Sequence, residues 1–329
     1  MNRTLPKEKE LSYTQASYEN YQEMVDYADG WDLLCNYQLT PIAINGHYKI
    51  LELPTMQLAF SDNIGGLMYN FDAPKDTICI SVIKYVEGKA SLDSIKLQTG
   101  DIVFFDDSKR YTFMASARTK LLDISIKKST NSILYHRVLK AYQKTILDTD
   151  KKLQILLLNI IEEYRDIESL DIEQALALER EITTTILSLL EDQEPQIRKL
   201  TRGEQVVVNI RDNSLFFMDK TITIHSLSND YKLSEKTLQT SFRSFFDFTP
   251  SKFLRLLKLN LVRNDLIEST PEDKTVISLA QKWGFTHMGR FTQYYKELFL
   301  ETPFTTLKTI SKSEGLNDGC VKREGGDNF

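Results

Sequence analysis

The sequence predicts an α+β protein: a β-rich N-terminal part, a helical connector and an all-α C-terminal part. Three observations predict it. Short β-branched and aromatic runs fill residues 30–127 at close spacing. Apolar residues recur at helical spacing over residues 131–192. From about residue 203 the helical pattern runs almost unbroken, and two segments inside it resemble each other. A length of 329 residues suits two domains better than one.

In the β-rich part, MQLAF, TICISVIKY, DIVFF and KLLDISIK are separated by Gly, Asp, Asn or Pro, with Gly65-Gly66 and Thr99-Gly100-Asp101 as turn signals. Several short strands so spaced predict an antiparallel sandwich or small barrel over residues 30–128. Residues 1–29 are polar and read as an N-terminal arm. LQTGDIVFFDD resembles the turn and strand of cupin-like barrels. Cupin enzymes hold a metal with clustered His and Glu. Of His47, His136, His225 and His287, only one lies in the β region, which excludes a two-histidine metal site there. No metal and no cofactor is expected. Trp31, Tyr48, Tyr69, Tyr85 and Phe104 can line a pocket for a small organic effector. Plain core is the commoner role of such aromatics, so no effector-pocket residue is assigned.

Residues 129–200 form the connector. Leu153, Leu157, Ile160, Ile161 and Tyr164 recur at helical spacing, as do Ile172, Leu176, Ile182, Ile186 and Leu189. These stripes need a partner surface. The β domain and a second copy of the chain, in a homodimer seam, are both open. The pattern breaks at Glu194-Pro195, a linker. The Gly-rich polar tail, residues 313–329, is expected to be disordered.

Composition excludes several classes. Hydrophobic content of 41% and charge of 26% are ordinary for a globular protein. No apolar run approaches the roughly 18 residues of a membrane span, and MNRTLPKEKELSYTQ lacks the apolar stretch of a signal peptide. The expectation is a cytoplasmic protein without a membrane partner. Cys35, Cys79 and Cys320 form no CxxC pair and read as single thiols. No GxSxG, P-loop or GxGxxG occurs, so an enzyme is not expected. The net charge is −5, but residues 203–312 hold 15 Lys+Arg against 12 Asp+Glu, and the rest of the chain holds 26 against 34. Only the C-terminal third can face a polyanion.

The internal repeat carries the functional argument. SEKTLQTSFRSFFDFTP, from Ser234, and HMGRFTQYYKELFLETP, from His287, align at an offset of 53 residues. Leu238 matches Phe291, Phe242 matches Tyr295, Phe246 matches Phe299, and Thr249-Pro250 matches Thr302-Pro303. Each ending starts a helix, with Thr as N-cap and Pro at the first helical position. Each segment follows a short amphipathic helix, IHSLSNDY or VISLAQKWGF, which makes two helix-turn-helix motifs. Between them, SKFLRLLKLNLVRNDLIEST predicts one long helix with Phe253, Leu256, Leu257, Leu261 and Leu266 inward, holding the motifs at a fixed separation.

Over about 110 residues these runs resemble the AraC/XylS family of transcription regulators. TLQTSFRSFF, TPSKFLRLLKLNLVRNDLI, LAQKWGF and HMGRFTQYYKELF carry the resemblance, and the last three are similar to the branch containing the ethanolamine-operon regulator. The resemblance implies a double helix-turn-helix DNA-binding domain at residues 203–312. Its two recognition helices would enter successive major-groove segments on one face of duplex DNA. The sequence departs from the family pattern after each recognition helix, where Asp247 and Leu300 replace the usual Gly. Asp tolerates a left-handed conformation, and Leu there costs about 1 kcal/mol. Either the second turn is built differently or Leu300 gains burial that offsets the strain.

On the first recognition helix, Leu238, Ser241, Phe242 and Phe245 face inward, and Lys236, Gln239, Thr240 and Arg243 form the opposite stripe. On the second, Phe291, Tyr294, Tyr295 and Leu298 face inward, opposite Thr286, Gly289, Arg290, Gln293 and Lys296. Gln pairs with adenine, and Arg or Lys with guanine. Gln239, Arg290 and Gln293 are expected on bases, Gly289 to allow close backbone approach, and Arg243 and Lys296 on bases or phosphates. The same stripes on an ordinary protein would be a solvated helix face.

The expected function is a sequence-specific DNA-binding transcription regulator, an activator contacting RNA polymerase. Its N-terminal domain would bind a small organic effector, form a homodimer, or both. The alternative is a β domain that serves only dimerisation or protein–protein interaction.

Overall fold

The computed structural model describes residues 12–19, 23–24, 31–42, 44–130, 132–141, 144–147, 150–163, 171–192, 194–213, 222–269 and 274–314. Two antiparallel sheets make the N-terminal part. The strands are β1 (Ser12–Tyr18), β2 (Asp32–Gln38), β3 (Asn45–Glu52), β4 (Met56–Ile64), β5 (Leu67–Asp72) and β6 (Thr77–Val86). They continue as β7 (Ala90–Leu92), β8 (Ile95–Leu97), β9 (Asp101–Asp106), β10 (Arg110–Ala115), β11 (Thr119–Lys127) and β12 (Thr145–Leu147). The seven-stranded sheet runs β1-β3-β4-β11-β6-β9-β12, and the five-stranded sheet β2-β5-β10-β7-β8.

Alternation in the strands decides what each sheet face buries. On β11, Leu122, Ile124 and Ile126 point to one side, where they join Leu58, Ile80 and Ile102 in one cluster. Helices α1 (Ser132–Ala141), α2 (Lys152–Glu163) and α3 (Ile172–Asp192) cover that side. Leu121 of the same strand points between the sheets, with Phe71, Cys79, Phe105, Tyr111 and Phe113.

The connector stripes are thereby accounted for. Leu153, Leu157, Ile160 and Ile161 of α2 and Ile182, Ile186 and Leu189 of α3 are buried against the sheet. The second stripe shifts at its start: Ile172 is 52% exposed, while Ala175 and Glu179 are buried. Glu179 is satisfied there by the Thr55 amide at 2.6 Å and the Thr55 hydroxyl at 2.8 Å. Tyr164 lies outside the described residues.

Two expectations are corrected at the sheet edges. Ser12–Tyr18, read as part of a polar arm, pairs along its whole length with β3 and buries Tyr18. Its sequence, SYTQASY, is polar because an edge strand exposes much of its surface. Thr145–Leu147, inside the connector, pairs with β9; three residues are too few to show a period. The expected disorder of residues 313–329 concerns a stretch that, beyond Glu314, lies outside the described residues, as does Cys320. Among the described residues no helix is long and apolar enough to cross a membrane.

The C-terminal part comprises α4 (Arg202–Asn213), α5 (Ile224–Asp230), α6 (Glu235–Phe246), α7 (Pro250–Ile267), α8 (Val276–Lys282), α9 (Met288–Phe299) and α10 (Pro303–Glu314). Phe246 of α6 stacks on Phe253 of α7 at 4.7 Å and 15°. Phe291 and Tyr295 of α9 are fully buried in the same core. Tyr37, Leu39, Met68 and Met114 of the β part join this core, so the two parts share one apolar seam.

Candidate nucleic-acid interface

Each motif is built from local signals that repeat. Thr223 caps α5 in a capping box with Ser226, and Thr275 caps α8 in the same box with Ser278. The turn after each first helix passes through a left-handed residue, Lys232 at φ 52° in the first motif and Gly284 at φ 82° in the second. Ser234 then caps α6 by accepting from the Thr237 amide. His287 precedes α9 and makes no side-chain cap bond. The Thr-Pro starts hold as expected: Thr249 accepts from the Lys252 amide before Pro250, and Thr302 from the Thr305 amide at 3.1 Å before Pro303.

Both exits turn left-handed despite lacking glycine. Asp247 has φ 64° and donates its amide to the Arg243 carbonyl; Leu300 has φ 59° and donates to Lys296. The second turn is thus built like the first. Leu300 is 64% exposed, which corrects the idea that burial offsets its strain. Asp247 gains a partner instead, the Ser116 hydroxyl at 3.1 Å.

The inward faces follow expectation. Leu238, Ser241, Phe242, Phe245, Phe291, Tyr295 and Leu298 are buried. Tyr294 is half-buried beneath the Arg255 guanidinium, 4.1 Å from its ring centre. On α7, Phe253, Leu256, Leu257 and Leu266 are buried and Leu261 half-buried. Leu254, Leu259, Asn260 and Val262 are buried too, because this helix is packed on several sides. Both recognition helices, α6 and α9, pack on it.

The outward stripes stay open. Lys236, Thr240 and Arg243 of α6 are exposed and Gln239 is half-exposed. Thr286, before α9, and Gly289, Arg290, Gln293 and Lys296 within it are exposed. Some already have partners: the Thr240 hydroxyl donates to the Lys236 carbonyl at 3.0 Å, and the Gln293 amide to Glu297 at 2.9 Å. A Cβ added at Gly289 would meet nothing within 4 Å, so the fold does not require glycine there.

Sequence reasoning missed what holds the opposite ends of these helices. The β part grips α9 directly and α6 through Glu204. Gln38 donates its side-chain amide to the Leu298 carbonyl of α9 at 2.7 Å. Glu204 of α4, buried, takes the Lys96 ammonium of β8 and the Ser244 hydroxyl of α6 at 2.8 Å. Burial alone would raise the Glu204 carboxyl, but Lys96, the Thr201 amide and Ser244 outweigh it and hold it down at about 2. These partners lie far apart in sequence, so no local pattern announces them.

A cavity of about 110 Å³ lies between the two sheets. Trp31, Tyr48 and Tyr69, for which plain core was the commoner role, line it together with Phe71, Phe105 and Phe113. Two other aromatics do not: Tyr85 is 41% exposed, and Phe104 sits on the helix-covered face.

A helix-turn-helix domain family matches residues 227–309. A probable thc operon regulatory protein of Rhodococcus erythropolis is 32% identical over 89 residues, 27% of each chain. XylDLEGF operon transcriptional activator 2 of Pseudomonas putida is 32% identical over 104 residues, 32% of this chain and 64% of that one. The chain thus spans about a quarter to just under two thirds of the length of these curated relatives. The crystal structure of the AraC-like transcriptional activator CuxR aligns at a TM-score of 0.43 with 12% identity, covering 82% of this chain and 100% of that one. Residues 227–309 thus form a helix-turn-helix domain, in a chain that is similar over part of its length to operon regulatory proteins.

Proposed function

We propose that the protein is a sequence-specific DNA-binding transcription regulator, an activator working on RNA polymerase, whose N-terminal part binds a small organic effector in a cupin-like sandwich. The observation that carries the reading is the pair of recognition helices packed on α7 with their polar stripes uncovered. Residues 203–312 would be the DNA-binding unit, reading bases with Gln239, Arg290 and Gln293 and holding phosphates with Arg243 and Lys296. Lys236, Thr240, Thr286 and Gly289 would complete the surface. TPSKFLRLLKLNLVRNDLI, LAQKWGF and HMGRFTQYYKELF further suggest kinship with the branch of the ethanolamine-operon regulator, while the relatives above bear the names of other operons.

The cavity favours an effector over a β domain that only dimerises. Strand β2 gives it a route to the DNA: Leu33 lines the cavity, and Gln38, on the same strand, bonds α7 and α9. Homodimerisation stays in the proposal without an assigned surface, because the stripes between Leu153 and Leu189 are already used on the sheet. Genomic fragment selection with the full chain at moderate salt tests the reading. A recurring motif, bound with an affinity that falls steeply with salt, supports it; no enriched motif overturns it.

A further inference from the structure

The seven-stranded sheet carries an unusual row across its inner face. Ile50, Ala59, Asp123, Ser81 and Val103 are cross-strand neighbours in register, and all five line the cavity. Small side chains on either side of Asp123 leave space above it. The facing wall is aromatic: Phe71 lies 5.7 Å from Trp31 and 5.8 Å from Tyr69, ring centre to ring centre, and Phe105 of the seven-stranded sheet itself lies 5.8 Å from Phe71.

Among the described residues Asp123 is the cavity's lone acidic group, and no described Lys, Arg or His lines the cavity with it. Other polar walls are engaged within the protein. Gln57 accepts from the Trp31 indole at 3.2 Å and donates to Glu52; Tyr48 donates to the Met24 carbonyl; Asn63 accepts from Tyr18. Asp123 has the Ser81 hydroxyl, against a carboxylate's capacity for about four hydrogen bonds. Burial, opposed by that one bond, pushes its carboxyl up to about 6.

We propose that this cavity binds a compact organic cation, a protonated amine on a single-ring apolar body, with Asp123 as counter-charge and the aromatic wall around the ring. The inference rests on the reading of the β part as an effector-binding domain, and names the class of effector. A carboxylate held in an apolar cavity without a cation costs free energy unless something pairs with it. A ligand ammonium supplies the charge and the missing donors at once, and aromatic faces attract cations. An anionic ligand would meet a like charge with nothing to neutralise it. The volume sets an upper limit: at about 110 Å³ the cavity is smaller than an engineered cavity of about 150 Å³ that holds a benzene ring, so no ligand with more than one ring fits.

Matched one-ring probes on the full chain at pH 7.5 provide the test. Benzylamine is compared with benzyl alcohol and benzoate by calorimetry and thermal shift. Cyclohexylmethylamine repeats the comparison on a saturated ring. The amines should bind at least tenfold more tightly than the alcohol or carboxylate, with a melting shift that grows with concentration. Asp123→Asn should weaken the amines at least tenfold and leave benzyl alcohol unchanged. Ala59→Leu, which fills the cavity and keeps the carboxylate, should abolish binding of all the probes. Benzoate or benzyl alcohol binding as well as benzylamine overturns the cation assignment and leaves the effector reading intact. No binding by any probe overturns both.

Discussion

Asn260 of α7 holds both backbone groups of Gln38: it accepts the Gln38 amide at 2.8 Å and donates to the Gln38 carbonyl at 2.9 Å. Asn260 is 4% exposed, so the pairing takes the place of a ladder partner at the seam between the β part and the helices. Asn260→Ala leaves a shielded amide and carbonyl unpaired. It should cost about 1–3 kcal/mol in chemical denaturation. A change under about 0.5 kcal/mol would mean that water replaces the bonds.

Leu300 stores strain that nothing around it repays. With φ 59° and 64% exposure, it holds a conformation natural to glycine without gaining burial. Leu300→Gly should raise stability by about 1 kcal/mol. The matching Asp247→Gly should gain less, because it also removes the bond from Ser116. Equal gains at both sites would show that the Ser116 bond adds nothing.

Gly289 separates fold from function. The open space around its Cβ position predicts that Gly289→Ala keeps or raises stability, by up to about 1 kcal/mol, since Ala is the better helix former. DNA affinity should nevertheless fall, because the methyl occupies the surface proposed to meet the groove. Unchanged affinity would take Gly289 out of the interface.

Asp123 and Glu204 give opposite pH signatures. The folded-state carboxyl of Asp123 is raised to about 6, so the folded chain binds the extra proton between about pH 4 and 6, and this contribution to stability is lost as pH rises through that window. Asp123→Asn should stabilise the protein at pH 7 by up to about 3 kcal/mol and make no difference near pH 4. Glu204 is held at about 2, so its contribution is complete above its ordinary value and is lost as pH falls towards 2. Glu204→Gln should cost about 2–3 kcal/mol at pH 7, with the deficit shrinking in acid. Melting curves of both variants across pH 3–7.5 decide it.

Much of this was legible in the sequence. The strands in MQLAF, TICISVIKY, DIVFF and KLLDISIK, the Thr-Pro helix starts and the inward faces of α6 and α9 follow from period and capping, which act over a few residues. β1 was hidden because an edge strand needs little apolar surface. Asp123 was visible in one respect: in KLLDISIK it alternates with Leu122 and Ile124, which places it between the sheets. That it shares a row with Ala59 and Ser81 depends on strand order, which no local pattern encodes. The same holds for Gln38 and Asn260, paired across 222 residues. The aromatic residues divided for a similar reason. Phe104 and Phe105 are adjacent, and only the strand's orientation decides which one meets the cavity.

The central claim is that one chain carries two separate readers of DNA. Selection of binding sites from a random duplex library, run on the full chain and on Gln239→Ala and Arg290→Ala, tests it most directly. The wild-type motif should contain two short blocks about one helical turn apart, roughly 10–10.5 base pairs. Gln239→Ala should relax one block and Arg290→Ala the other, each by about 1–3 kcal/mol against the preferred base. Lys296→Ala, as control, should weaken all sequences alike and lower the salt slope by about one. If Gln239→Ala and Arg290→Ala relax the same base positions, the two-reader account is wrong.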